Sequence, residues 1–431
     1  MMNNTNLIYG IKDKPKTLKE WILYPLQQIF SILTATLLIS TVCGAPLSSG
    51  VCAAGIGTLV YLILTGFNSP LFVSNAGATC SAVITSLALS GGNSVAVMIG
   101  GLTTALIYFI VGLIIKFKGT KWINTVFSDY MIGSIILVIG INLSKFSVSY
   151  AQINGQYSLI GIAVAFFVML ITAITYRYGK GFLKTIPFLI GLLGGYALCL
   201  ILELFNIRLL NFSAFQNLTL FSIPKFAFFA ADFKNFNWAL VPQIVIMWTA
   251  TSIPMLLEHL GDHKSLSAVL GTDLTQTPGI FRTLWADGTA SFIGTCVGYT
   301  PNTSFGESIS CTAVSRVGST YVIFVASLIM ILSSFFAPLM AFFESISSTI
   351  FCGVSLIAYG MIAFSGLNML IQSQISYQDI SKVIVVCVIL TTGISGLEVI
   401  LGPITFSGVS LAMLAGLITN LILNYKNQRN T

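Results

Sequence analysis

Apolar residues run through this chain in blocks of roughly twenty, the length that spans a bilayer as a helix, separated by short polar interruptions. Within residues 108–115 and 383–390 apolar positions follow one another without alternation, which excludes barrel strands and leaves helices. The pattern predicts fourteen membrane segments, starting near positions 21, 50, 74, 94, 127, 158, 184, 241, 286, 304, 319, 345, 380 and 407. Two of these are unlike the rest. SNAGATCSAVITS from Ser74 and SFGESISCTAVSR from Ser304 are short, rich in Gly and Ser, and preceded by Pro70 and Pro301. Such segments predict discontinuous helices around a transport site.

Composition agrees with this reading. The chain is 55% hydrophobic and only 8% charged, with a mean hydropathy of +0.92. A soluble domain carries about 25% charged residues. A soluble enzyme is excluded. With the N-terminus inside, only Lys145, Arg208, Lys225 and Lys234 of the 20 basic residues fall outside, the bias expected of the right number of crossings. The net charge of +7 therefore reports topology, and no nucleic-acid partner is implied. A multi-pass protein of the cell (inner, cytoplasmic) membrane with both termini cytoplasmic is predicted. The polar first twenty residues give no sign of a cleaved leader. Seven crossings per half is an odd number, so homologous halves must be inverted. Two echoes support this, Cys80-Ser-Ala-Val83 with Cys311-Thr-Ala-Val314 and Ile56-Gly-Thr58 with Ile293-Gly-Thr295. The expected fold is an all-α polytopic membrane protein, two inverted repeats of seven segments, divided by a long outer connection over 206–240. A second, inner connection is expected over 264–285. The eight cysteines lie singly in apolar stretches and read as packing residues, with no metal site among them.

An acid deep in a membrane segment costs at least ~2.5 kcal/mol, so it marks function. Most acids, Asp287 among them, fall near expected segment ends. Glu258, Asp262 and Glu307 do not, and Glu203 reads as an interface residue. Glu258 and Asp262 lie one helical turn apart on one face, where like charges favour holding a proton. Glu307 follows Gly306, which would permit an unusual backbone angle at the start of a half-helix. There backbone N–H groups would donate to a carbonyl while the carboxylate accepts from an N–H. His259 and His263, the only histidines, sit beside these acids, and both a proton relay and an interface position stay open for them. No phosphate-binding loop is present, so transport would be secondary.

The segments Leu257-Glu-His-Leu-Gly-Asp262, Pro278-Gly-Ile-Phe-Arg-Thr-Leu-Trp-Ala-Asp-Gly288 and Pro301-Asn-Thr-Ser-Phe-Gly-Glu307 resemble the uracil/xanthine permeases, the second nucleobase/cation symporter (nucleobase-ascorbate) family. The resemblance implies a core domain of residues 21–116 and 241–340 and a gate domain of 127–205 and 345–424, with a short strand before the half-helices of segments 3 and 10. It implies nucleobase import, uracil first and xanthine or another purine next, by symport with H⁺ or Na⁺ through alternating access, with no cofactor. Substrate binding would fall to Glu258, Glu307, Gly306, Phe305 and the amide of Ala76, and coupling to Asp262, Glu258 and His259. Partners would be the nucleobase and the lipid bilayer, with a homodimer open. The sequence departs from the family at Ala76, where uracil carriers usually place phenylalanine, at Ser308 and Ser310, which replace an Asn-x-Gly, and at Asp262, which replaces a histidine of some carriers. A sulfate-transporter-type anion carrier of the same fold is the alternative, and an ion channel a more distant one.

Overall fold

The computed structural model describes residues 7–119, 128–153, 156–180, 183, 186–216, 218–401 and 404–424. It is mostly helical. In order come α1 (Leu18–Val42), α2 (Leu47–Leu64), β1 (Val73–Asn75), α3 (Cys80–Leu89), α4 (Val95–Lys118), α5 (Asp129–Ser149), β2 (Gln152–Ile153), β3 (Gln156–Tyr157), α6 (Leu159–Tyr178) and α7 (Pro187–Glu203). After a long connection follow α8 (Val241–Leu270), α9 (Ile280–Gly298), β4 (Asn302–Ser304), α10 (Gly306–Ser315), α11 (Thr320–Ser334), α12 (Ala337–Ser345), α13 (Ser348–Gln372), α14 (Ile380–Ile394), β5 (Glu398–Leu401), β6 (Ile404–Ser407) and α15 (Gly408–Asn424). Among the described residues seven helices are long and apolar enough to cross a membrane, and several shorter apolar ones accompany them.

The helix ends follow from local chemistry. Thr17 and Glu20 form a reciprocal capping box that opens α1. The Thr17 hydroxyl accepts from the Glu20 N–H at 3.3 Å, and the Glu20 carboxylate accepts from the Thr17 N–H at 2.9 Å. α2 ends where cations meet its last carbonyls, the end of a helix that attracts positive charge. Arg282 Nε donates to Leu64 O at 2.7 Å and Lys12 Nζ to Gly66 O at 2.8 Å. Gly271 stops α8 in the left-handed region at φ +66°, a conformation that glycine adopts without a steric penalty.

Packing divides the helices into two groups. α9 lies against α2 and α4, and α11 against α2; α5 packs against α13 and α14, α6 against α7 and α13, and α14 against α15. Small residues allow the approach. A Cβ on Gly133 would stand 2.8 Å from Gly366 O, so α5 and α13 meet backbone to backbone. That is the usual membrane solution where no hydrophobic force draws helices together. In the interior β1 and β4 pair antiparallel, Val73 with Ser304, Ser74 with Thr303 and Asn75 with Asn302. Each strand leads into a short helix, as the two Gly/Ser-rich segments suggest.

Three boundaries differ from the sequence expectation. α8 runs to Leu270, past Lys264, and α9 starts at Ile280 rather than near 286, so the inner connection shrinks to residues 271–279. The polar residues that looked like interruptions are used inside the fold, Arg282 as a cap and Asp287 as a buried partner. The extra helix α12 precedes the segment expected at 345, whose helix begins at Ser348. The starts near 127 and 184, with Lys121, Lys184, Lys426 and Arg429, lie outside the described residues.

Candidate functional site

The β1–β4 pair places two helix N-termini face to face in the middle of the molecule. Thr58 of α2 holds Val73, accepting its N–H at 3.1 Å, and Asn302 Nδ2 donates to Ala53 O at 2.8 Å, so both strands are tied to α2. Gly77 and Ala78 on one side, and Phe305, Gly306 and Glu307 on the other, line a cavity of about 140 Å³. α8 contributes Glu258, Asp262 and Ser265, α5 contributes Ile136, Ile139 and Leu143, α7 contributes Phe188, and α13 contributes Tyr359 and Met361 among others. Polar groups thus come from one helix group and mostly apolar groups from the other.

The carboxylates differ in what they hold. Asp262 Oδ2 accepts from Ser304 Oγ at 2.6 Å, which fixes it against β4. Glu258 and Glu307 make no side-chain hydrogen bond to any other described residue and are half-buried, so their oxygens face the cavity. Both helix N-termini add partial positive charge and N–H donors at the same place. A small planar molecule with alternating N–H and C=O groups is complementary to this arrangement, its N–H groups meeting the acids and its carbonyls the amides.

The structure gathers Glu258, Asp262, Phe305, Gly306 and Glu307 in one cavity. Two expected residues lie elsewhere. The Ala76 N–H donates to Pro301 O at 2.8 Å, extending the strand pair, so that amide is spent and Gly77 and Ala78 occupy the place expected of it. His259 is fully buried behind the cavity. Gly306 needs no special backbone, since its φ is not positive; an added Cβ would meet only Asp262 Oδ1, at 3.9 Å. Its smallness keeps space open beside that acid. The two serines also separate: Ser308 is buried, donating to Gln28 Oε1 at 3.1 Å and accepting from Phe72 N–H at 3.2 Å, while Ser310 faces the cavity.

Asp287, expected near a segment end, is instead fully buried within α9, with Oδ2 2.8 Å from His259 Nδ1. Thr283 Oγ1 lies 3.0 Å from both Ile280 O and His259 Nε2. At 2.8 Å a proton lies between His259 Nδ1 and Asp287 Oδ2, since two lone pairs cannot face each other there. His263 stacks on His259 with ring centres 4.0 Å apart and meets Tyr61 Oη at 2.8 Å. Thr303 Oγ1, 3.5 Å from Asp287 Oδ2, belongs to a residue that also lines the cavity. The spacing of α8 against α9, which no sequence motif displays, makes this network.

Two further cavities adjoin the first. One of about 370 Å³, lined by Ser81, Asn142, Lys145 and Thr251, shares Gly77, Ala78, Ile139 and Leu143 with it. A smaller one of about 40 Å³, lined by Tyr176 and Val314, shares Phe188, Glu307, Ser310 and Met361.

The profile of the Permease family (Xan_ur_permease) matches residues 19–402. The chain is 32% identical over 434 residues to the uracil permease of Bacillus subtilis (strain 168), covering 98% of this chain and 96% of that one. Among solved structures it is similar to SLC26A9, with a TM-score of 0.67 at 12% identity, covering 96% of this chain and 66% of that one. It is also similar to the transmembrane domain of a cyanobacterium bicarbonate transporter, BicA, with a TM-score of 0.60 at 13% identity and coverage of 95% and 99%. These two likenesses concern the fold.

Proposed function

The chain belongs to the xanthine/uracil permease family, and is thus a multi-pass membrane transporter rather than an enzyme; from that premise we propose that it imports a nucleobase, uracil first, by symport with H⁺ or Na⁺. The observation that carries this reading is the pair of carboxylates facing one cavity, Glu258 from the middle of α8 and Glu307 from the first turn of the half-helix α10, neither hydrogen-bonded to the side chain of another described residue. A uracil ring offers N–H groups to the acids and carbonyls to the backbone amides, while Phe305, Phe188 and Ile139 supply flat apolar contact. Xanthine or another purine fits the same chemistry. The relative named above is a uracil permease, which favours the pyrimidine.

The anion-carrier alternative meets an electrostatic objection. Among the described residues no Lys or Arg lines the cavity, and three acids do. An inorganic anion would be repelled where it should be bound.

Transport would follow from the two helix groups. The antiparallel pairing of β1 with β4 is what two inverted repeats of seven segments would produce, with fourteen crossings in all. The groups containing α1–α4 with α8–α11, and α5–α7 with α13–α15, correspond to a core and a gate that move past each other. Residues 21–116 with 241–340, and 127–205 with 345–424, are the proposed bounds, in a cytoplasmic membrane with both termini inside. For coupling, Asp262 and Glu258 exchange a proton or bind a cation at the cavity. His259 acts with Asp287 behind it. The proton they share lies in a fully buried contact that joins α8 to α9.

Glu258→Gln tests the reading. It replaces an acceptor by an amide that presents a donor to the substrate N–H groups, a mismatch of ~2 kcal/mol or more, so nucleobase affinity should fall at least about tenfold. Parental affinity in a folded Glu258→Gln protein would remove that residue from the site.

A further inference from the structure

Residues 204–240, between α7 and α8, carry an unusual load. Among its described residues the segment forms helical structure only as short turns at Phe212–Phe215, Ala227–Ala230 and Trp238–Leu240. It is nevertheless fastened at both ends. Asn211 N–H donates to Ser345 O at 3.0 Å, at the end of α12, while Ser222 N–H donates to Phe335 O at 3.0 Å and Ala337 N–H to Leu220 O at 3.2 Å, at the α11–α12 junction. The other stretch is held at the α3–α4 turn, where Asn93 Nδ2 donates to Asp232 O at 2.8 Å and Ser94 Oγ to Ala227 O at 2.6 Å.

A segment so fastened could bury its aromatics, but it turns them outward. Phe221, Ile223 and Phe229 are 67%, 73% and 70% exposed, and Trp238 is 56% exposed. At its rim Phe228 stacks on Phe226 and meets Phe229 at a tilt. This contiguous apolar display marks a surface that meets something other than water. Three of the four basic residues placed outside, Arg208, Lys225 and Lys234, fall within this one segment and are exposed. Within the segment a single acid, Asp232, stands against them, its carboxyl held below the usual carboxylate range by hydrogen bonds from Asn235, and Glu344 of α12 faces Lys225. With three cations against one anion, the segment carries a net charge of +2 near neutral pH. Both of its ends are ends of apolar helices, so it lies at the level where hydrocarbon gives way to headgroups.

We propose that residues 204–240 form an interfacial strap, whose exposed aromatics lie in the headgroup layer of the outer leaflet and whose basic residues bind anionic phospholipid headgroups. Tyr, Trp and Phe side chains settle at that depth, and each Lys or Arg near an anionic surface gains attraction. A second copy of the chain would want the same apolar face but has no reason to select basic residues around it.

The test uses the full-length protein in liposomes of phosphatidylcholine or phosphatidylglycerol with brominated acyl chains. The Trp238 signal is the difference between the parent and Trp238→Phe. Brominated lipid should quench it strongly and aqueous iodide weakly. Brominated phosphatidylglycerol should out-compete phosphatidylcholine at Trp238 by about fivefold or more, the factor for one basic residue at the surface. In Arg208→Gln/Lys225→Gln/Lys234→Gln that preference should fall to about one while nucleobase binding stays parental. Quenching by iodide and not by lipid would overturn the strap. So would an unchanged lipid preference in the triple variant, or a Phe229→Cys disulfide between copies that abolishes lipid quenching. None of these outcomes bears on which base the protein carries.

Discussion

Gly306 and Asp287 show how much a single position depends on its neighbours. Since a Cβ on Gly306 would touch only Asp262 Oδ1, at 3.9 Å, Gly306→Ala should fold normally and bind with a modest loss. Gly306→Val projects two further methyls into the cavity and should abolish nucleobase binding, read by calorimetry on monodisperse protein. A parental affinity for the valine variant would place the ligand elsewhere. Asp287→Asn keeps the shape and still offers His259 a hydrogen bond, but removes the ionisable carboxyl. Binding should stay within about threefold, while uptake driven by a pH gradient should fall to the equilibrium level, since the pair no longer has an acid that can take up or release a proton. Concentrative uptake at the parental rate would free Asp287 from coupling. The acids of the cavity were legible in the sequence because charge is rare in apolar segments. Asp287 was not, because its helix begins six residues earlier than hydropathy suggests and its partner lies on another helix.

At the scale of elements, the strand pair with its two half-helices is the unit that makes the site, and it is held by side chains rather than by long ladders. Gln28 of α1 bridges it, accepting from Ser308 Oγ at 3.1 Å and donating to Thr312 Oγ1 at 3.1 Å. Ser308→Ala leaves the Gln28 oxygen and the Phe72 N–H without their partner in a dry interior, a loss of about 1–3 kcal/mol that should appear as a lowered Tm. Ser310 makes no such bonds with the described residues, and Ser310→Gly should change Tm little. If both variants melt alike, Ser308 is no anchor for α10. The two serines look equivalent in sequence, two apart on one short helix, and only the side each faces tells them apart.

At the scale of the whole molecule, Lys264 of α8 and Asp129 of α5 form an ion pair at 2.8 Å between the two helix groups. Both side chains are substantially exposed, so the pair is worth at most ~1 kcal/mol. If the groups move past each other, Asp129→Asn should shift their balance by up to about fivefold, measured as the labelling rate of a thiol at Ser265→Cys in the cavity. No change at low salt would mean that this contact survives the transport cycle. A neutral base carried with one cation should also accumulate about 50-fold per ~100 mV of inside-negative potential, from ~2.3 kcal/mol per charge. The class of protein, the helical spans, the two interrupted segments and the acids of the cavity were all present in the order of residues, because hydrocarbon admits only a narrow choice of residues and makes every exception visible. Tertiary structure alone decided that Ala76 spends its amide on Pro301, that His259 turns away from the cavity to meet Asp287, and that Gly306 supplies space rather than an unusual backbone. Each depends on the contact between elements far apart in the chain, and the pattern of polar and apolar positions says which face of a helix is buried but not what it is buried against.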